Sequence, residues 1–334
     1  MNTTSLGRRT ILAQLALGAT SLTALAAYAQ QPAGDFPSRP VSLVLPFPPG
    51  GVADAVARRL SERLAALWKQ PVLVENRPGA GGHLGAAQVA RAPADGHTLM
   101  ITVYDNLVIA KATGAKVGYD VDRDVIPVAL ATSSATVIIA HPSVPVADLR
   151  ELLAYAKANP GKLNFGSNGV GSSYHLALEQ LNAAAGTDIT HVPYKGSAQV
   201  MLDLVAKRLD VTIVSLFLAM PFISDGRLKA LAIGSPVRSP LLPGVPTVAE
   251  SGLKDFDISM SLGIFAPSRM SPALVSRING DIRKTVNEPE LFNKLKAEGT
   301  SAGDLTAEQF GARMQREAAS LQRLIKTRNI QIDN

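Results

Sequence analysis

Hydrophobic positions along the chain follow two spacings in turn. Val41, Leu43, Val44 and Leu45 form a short apolar run of the kind shown by a strand covered on both faces. Val56, Leu60, Leu64 and Leu67 then recur at helical spacing. Between the two lie Pro46, Pro48, Pro49, Gly50 and Gly51. Glycines lack a Cβ and let the backbone approach a ligand, while the first amides of a helix have no intrahelical partners and carry partial positive charge. This strand, turn and helix are therefore predicted to cradle a carboxylate or phosphate. The stretch from Leu163 to Leu181 repeats the arrangement through Gly166, Gly169 and Gly171, with Ser167, Asn168, Ser172 and Ser173 as short polar side chains. Neither loop contains lysine or arginine, so an anion held between them would meet neutral donors.

The remaining pattern alternates strands with helices. Apolar runs at residues 72–74 and 97–103 read as strands, and 84–90 as a helix preceded by a third glycine-rich turn at Gly79, Gly81 and Gly82. That turn lacks the order of strand, glycines and distal acid of a dinucleotide fingerprint. Tyr104, Asp105 and Asn106 end the strand within reach of the first loop. Residues 126–142 read as two successive strands and a first crossing between domains. A helix over 148–158, strands at 189–192, 211–214 and 228–233, and a helix near 201–206 follow. Thr247 and Glu250 form a capping box, and residues 258–265 read as a second crossing strand. Ser271 and Pro272 open a further helix, Glu288-Pro289 breaks it, and Thr306 with Gln309 caps the last one. Phe310, Leu321, Leu324 and Ile325 supply the apolar side of this last helix; Arg313, Arg316, Arg323, Lys326 and Arg328 read as its solvated face. The alternation predicts an α/β fold with helices on both faces of parallel or mixed sheets. Two crossings make the first domain discontinuous, over 30–130 and 257–334, with the second domain at 131–256.

Composition adds location and excludes several chemistries. Arg8 and Arg9 precede an uncharged run from Ile11 to Ala27, closed by Ala27-Tyr28-Ala29, which is the pattern of a secretory signal peptide over residues 1–29. The arginine pair loosely follows a twin-arginine signal, although Gly7 and Ile11 depart from it. Cleavage after Ala29 would lower the formal charge from +6 to +4, and the remaining charges form no basic tract that would suit nucleic acid. The chain has no cysteine, which removes disulfides, a lipidated cysteine, thiolate metal sites and cysteine nucleophiles. His83, His97, His141, His175 and His191 lack metal-ligand spacing, and no cofactor motif is present. A hydrolase using a serine near His175 or His191 is the enzymatic alternative, but no G-x-S-x-G elbow supports it.

The segments GDFPSRPVSLVLPFPPGGVADAVAR, VENRPGAGGHLGA, ANPGKLNFGSNGVGSSYHLALEQL, HVPYKGSAQVMLDL, LKALAIGSPVRSPLLPGVPTVAESGL and GIFAP resemble, in order and over nearly the whole mature chain, the landmarks of the Bug family. These are periplasmic solute receptors of tripartite tricarboxylate transporters. The resemblance implies a two-domain periplasmic binding protein of type II-like architecture, a monomer, closing on a small organic acid or amino acid. It also implies transient contact with membrane permease subunits; a receptor signalling to a sensor kinase would use the same ligand site. The family's binding loops map onto Gly50, Gly51, Ala53 and Asp54 in one lobe and onto Ser167, Asn168, Gly169, Ser172 and Ser173 in the other. Tyr104, Tyr194, Lys195, Ser215 and Ser261 are secondary candidates. Departures are Val52-Ala53 where a glycine or small hydroxyl residue is common, Ser261 where tryptophan is common, and Val214-Ser215 where an aspartate often ends the strand. Asp54 beside a bound carboxylate is repulsive unless it bonds early helix amides, orients water or meets a ligand amine.

Overall fold

The predicted βα alternation produces, among the described residues, eleven strands in two mixed sheets. The computed structural model describes residues 36–254, 256–328 and 330, so the leader assigned to residues 1–29 lies outside the described residues. The strands are β1 (Val41–Leu45), β2 (Val72–Asn76), β3 (Thr98–Val103), β4 (Val125–Ser134), β5 (Thr136–Ala140), β6 (Asn164–Ser167), β7 (Thr190–Pro193), β8 (Val211–Ser215), β9 (Lys229–Ile233), β10 (Met260–Pro267) and β11 (Thr300–Ala302). The helices are α1 (Val52–Trp68), α2 (His83–Ala90), α3 (Asp105–Thr113), α4 (Leu149–Ala158), α5 (Ser173–Ala185), α6 (Ser197–Val205), α7 (Leu216–Ser224), α8 (Pro272–Val286), α9 (Pro289–Ala297) and α10 (Ala307–Arg328).

The first sheet has the order β11-β4-β10-β3-β1-β2 and the second β7-β6-β8-β5-β9. In each, the strands carrying the cradles are parallel: β1 pairs in parallel with β2 and β3, and β6 with β7 and β8. The strands near the crossings are antiparallel: β10 pairs with β3 and β4, and β5 with β8 and β9. Only Ala135 separates β4 from β5, so the chain leaves one sheet and enters the other almost without turning. Both cradles consequently sit at the carboxyl ends of parallel strands, where open α/β sheets hold ligands.

Local packing follows the hydrophobic pattern with identifiable shifts. Val41, Leu43, Val44 and Leu45 are fully buried, as expected of a doubly covered strand. On α1 the buried positions are Val56, Leu60, Leu64 and then Trp68, not Leu67, because the indole turns inward and donates to Asp281 Oδ2 at 2.7 Å. The helices α3 and α7 have no counterpart in the hydrophobic pattern. Residues 216–224 are almost uniformly apolar and contain Pro221, which hides helical periodicity. The Thr306–Gln309 box forms reciprocally at the start of α10. Thr247 and Glu250 also bond reciprocally, but they close a turn rather than begin a helix.

The two crossings lie side by side and are stitched together. Gly234 N donates to Thr136 O at 2.9 Å, Ile258 N to Gly234 O at 3.0 Å, and Thr136 Oγ1 to Ile258 O at 3.0 Å. Ala135 bonds Gly299 through its amide and Leu216 through its carbonyl. Leu176 of α5, in the second lobe, packs in the same core as Val44, Tyr104 and Phe310 of the first.

Candidate functional site

The first cradle is held in shape by Asp54. Its carboxylate accepts from Gly50 N at 3.1 Å, Arg58 Nε at 2.9 Å and Asn76 Nδ2 at 3.0 Å, and the residue is 6% exposed. The bond from Arg58 and then that from Asn76 hold its pKa down at about 2, below the ordinary 3.8. Asp54 thus bonds a loop amide and is neutralised from within, so it neither repels an incoming anion strongly nor offers a free carboxylate to a ligand amine. Asn76 also donates to Phe47 O, which fixes the other limb of the loop. Gly50 has φ +90, a conformation that favours glycine, and a Cβ added at Gly50 or Gly51 would meet nothing within 4 Å. Gly51 is the N-cap of α1 and has no side chain to satisfy the helix amides. Gly50 N is occupied by Asp54, leaving the amides that begin α1, including those of Ala53 and Asp54, as the donors of this loop.

The third glycine-rich turn supports the first. A Cβ at Gly85 would lie 2.9 Å from Pro46 Cβ, and one at Gly82 would lie 3.4 Å from Pro46 Cγ. The glycines therefore permit α2 to lie against the proline that opens the cradle. Their role is close packing.

The second cradle is closed by neutral groups. Ser167 is fully buried and shares a 2.6 Å hydrogen bond between its Oγ and His191 Nε2. Gly169 N donates to the same Oγ at 3.1 Å. The imidazoles of His175 and His191 stack with centroids 3.8 Å apart, and His175 Nδ1 accepts from Gly171 N at 3.0 Å. Burial first, and then the neighbouring His175, lowers the His191 pKa to about 4; burial lowers that of His175 as well. Ser172 caps α5, accepting from His175 N and donating to Gly169 O at 2.8 Å. Ser167 and Ser172 thus shape the loop from inside, while Ser173 lines a cavity between the lobes. Asn168 Oδ1 accepts from Ser197 at 2.8 Å, tying the loop to α6.

The secondary candidates separate in space. Tyr194 bonds Ser167 O through its amide and Asp203 through its hydroxyl, so it anchors the second loop from behind. Lys195 is exposed. The Ser215 backbone lies against the Tyr174 hydroxyl. Ser261 is fully buried in β10, its Oγ 2.7 Å from Ser133 Oγ, and presents no free group where a tryptophan is common. Tyr104 is 1% exposed and donates to Glu317 Oε1 at 3.1 Å, with the Arg313 guanidinium 5.6 Å from its ring centroid. Arg313 is not on the solvated face assigned to it. It bonds Glu317 at 2.7 Å and Asp257 at 2.9 Å, with its side chain 21% exposed.

Arg58, His175, His191, Arg313 and Glu317 are thus neighbours of the candidate residues that the loop sequences alone do not reveal. The pairs Asp54 and Arg58, and Arg313 and Glu317, have i,i+4 spacing on their helices, a signal readable in the sequence. No local spacing brings His175 to His191.

Two sheets joined by two crossings, each sheet carrying a helix-start loop at the carboxyl ends of its parallel strands, have the architecture of a solute-binding receptor. Residues 56–330 match the profile of the tripartite tricarboxylate transporter family receptor, and the chain belongs to that family of periplasmic receptors. It is 39% identical over 322 residues to the UPF0065 protein in the tcbD-tcbE intergenic region of Pseudomonas sp. (strain P51), covering 96% of this chain and 94% of that protein. The R. palustris protein Rpa4515, solved with adipate, superposes with a TM-score of 0.75 at 30% identity, covering 88% of this chain and 99% of that one. MatC from Rhodopseudomonas palustris, solved with bound malate, superposes with a TM-score of 0.71 at 31% identity, covering 87% and 100%.

Proposed function

We propose that this receptor captures a small organic acid between the loops at Pro46–Asp54 and Ser167–Ser173 and passes it to membrane permease subunits. The observation that carries this reading is the unfilled donor set at the start of α1, beside a cradle whose only carboxylate is already neutralised. Such donors suit a carboxylate, which needs no lysine or arginine from the loops themselves. Adipate and malate in the two related structures support the same class. The ligand is released unchanged. Although Ser167 meets His191, the hydroxyl is fully buried and the imidazole stacks on a second histidine, which disfavours a hydrolase. The mature chain starts at Gln30 in the periplasm, after removal of the leader, and works as a monomer.

Thermal unfolding of protein stripped of bound ligand, screened against C3 to C8 dicarboxylates, hydroxy acids, aromatic acids and amino acids, tests the reading. A ligand at one hundred times its Kd adds about 2.7 kcal/mol, a shift of several degrees for two domains of this size. Stabilisation by sugars or phosphate esters and by no carboxylate would overturn it. N-terminal sequencing of periplasmic protein checks the cleavage site.

A further inference from the structure

A cavity between the lobes runs from the starts of α3 and α5 to the middle of α10 and the second crossing. Its charged lining is unbalanced: Asp105, Asp257 and Glu317 face a single guanidinium, Arg313. That guanidinium is already committed to Glu317 and Asp257. The Glu317 carboxylate also accepts from Tyr104. Asp105 is the first residue of α3, and among the described residues no cation forms an ion pair with it. Ser259, also in the lining, is 6% exposed and its Oγ has no hydrogen-bond partner. A buried hydroxyl without a partner is costly, so this wall is incomplete until something polar meets it. Ser173, which starts α5 directly after the second cradle, borders the same space.

We propose that this cavity is a subsite for a protonated amine, so that the acid carried by this receptor also bears an ammonium group, balanced by Asp105. The inference rests on the carboxylate reading above and adds the second half of the ligand. An ammonium donates three hydrogen bonds and accepts none, which matches an unpaired carboxylate and an unpaired hydroxyl oxygen. A simple dicarboxylate would instead bring negative charge to a wall that already carries excess negative charge. The first cradle does not compete for the amine, because Arg58 and Asn76 satisfy Asp54.

Burial, and then the nearby Glu317, raise the Asp105 pKa to about 7. The other ionisable groups facing it are Tyr104, Tyr174, Asp257 and Arg313, and the two phenols stay neutral because burial raises their pKa values. Amine binding requires the ionised form of Asp105. Affinity for an amino acid should therefore fall about tenfold between pH 8 and pH 6, whereas affinity for its amine-free counterpart should not fall.

The test is calorimetric titration of the full mature protein, stripped of ligand, with matched pairs: succinate and aspartate, glutarate and glutamate, adipate and 2-aminoadipate, butyrate and 4-aminobutyrate. For the tightest pair at pH 8, the amine-bearing member should bind at least tenfold more tightly. Asp105→Asn should narrow that ratio below threefold and remove its pH dependence. Ser259→Ala, which deletes one buried hydroxyl, should narrow it in part and serves if Asp105→Asn does not fold. Equal or tighter binding of the amine-free members, or a ratio unchanged in the variants, would overturn the subsite and leave the carboxylate receptor standing. Binding of neither series would overturn both.

Discussion

Replacing Asp54 by asparagine tests whether the first cradle is shaped by one internal carboxylate. Asparagine preserves the size of the side chain but offers only one accepting oxygen, and its amide nitrogen must face donors. Asp54 now receives three: Gly50 N, Arg58 Nε and Asn76 Nδ2. The Arg58 side chain is 53% exposed, so that ion pair is screened by solvent and contributes little. The larger loss comes from the less exposed donors, since leaving one such group without an acceptor costs about 1–3 kcal/mol. Asp54→Asn is therefore predicted to lose about 1–3 kcal/mol of stability. Urea unfolding followed by fluorescence of the single tryptophan, Trp68 at the far end of α1, reads this directly. Ligand affinity should fall about tenfold, or about 1.4 kcal/mol, because Gly50 is no longer fixed. The folded carboxyl titrates near 2, below its ordinary 3.8. Its contribution is therefore fully present above about pH 3.8 and lost as pH falls through about 2, a segment the variant should lack. A stability loss below about 0.5 kcal/mol with unchanged affinity would show that Asp54 does not organise the loop.

Gly85→Ala sets a helix-propensity gain of about 1 kcal/mol against an overpacking cost of about 1–3 kcal/mol at Pro46. Net destabilisation with weaker ligand binding is expected, and urea midpoints showing a more stable variant would refute the close packing of α2 on the cradle. The lowered pKa values of His175 and His191 favour the neutral rings in the folded state. Their unfolded forms take up protons first on acidification, so stability should decline from about pH 6.5 toward pH 4, and His191→Phe should flatten that part of the profile in unfolding measurements. Thr306→Ala should cost about 0.5–2 kcal/mol in denaturant unfolding through loss of the α10 cap.

Much of this architecture is legible because local chemistry and tertiary placement agree. The β1 run, the helix start at Ser271 and Pro272 and the Thr306–Gln309 box all stand where the pattern puts them. The helix α3 is hidden because Tyr104, Asp105 and Asn106 read as a strand end, and α7 because its apolar residues leave no polar stripe. Arg313 misleads for a different reason. It follows Phe310 by three residues and belongs to a run of basic positions, yet α10 lies beneath the crossing strand and turns it toward Asp257. Among the loop residues, glycine spacing locates both cradles but does not show which side chains are used internally. Ser167 and Ser172 have the chemistry of ligand-binding hydroxyls, while their bonds to His191, Gly169 and His175 N assign them to the loop itself.

The two cradles reach the same end with different chemistry. One neutralises its carboxylate with an arginine four residues along the same helix; the other uses a stacked pair of uncharged imidazoles. In both, the side chains nearest the turn are spent on rigidity, so under the proposed function an acid would meet mainly the free amides at the start of α1, which suit many acids almost equally. Discrimination must then arise where side chains remain uncommitted, and Asp105 and Ser259 meet that condition in the space between the lobes. Lobe contact also has its own apolar component. Leu176 is 3% exposed within the first lobe's core, and burying such a side chain is worth about 1.5–3 kcal/mol. Because that term is the same for every ligand, it ties the lobes together without favouring any one acid, and selectivity is left to the cavity wall.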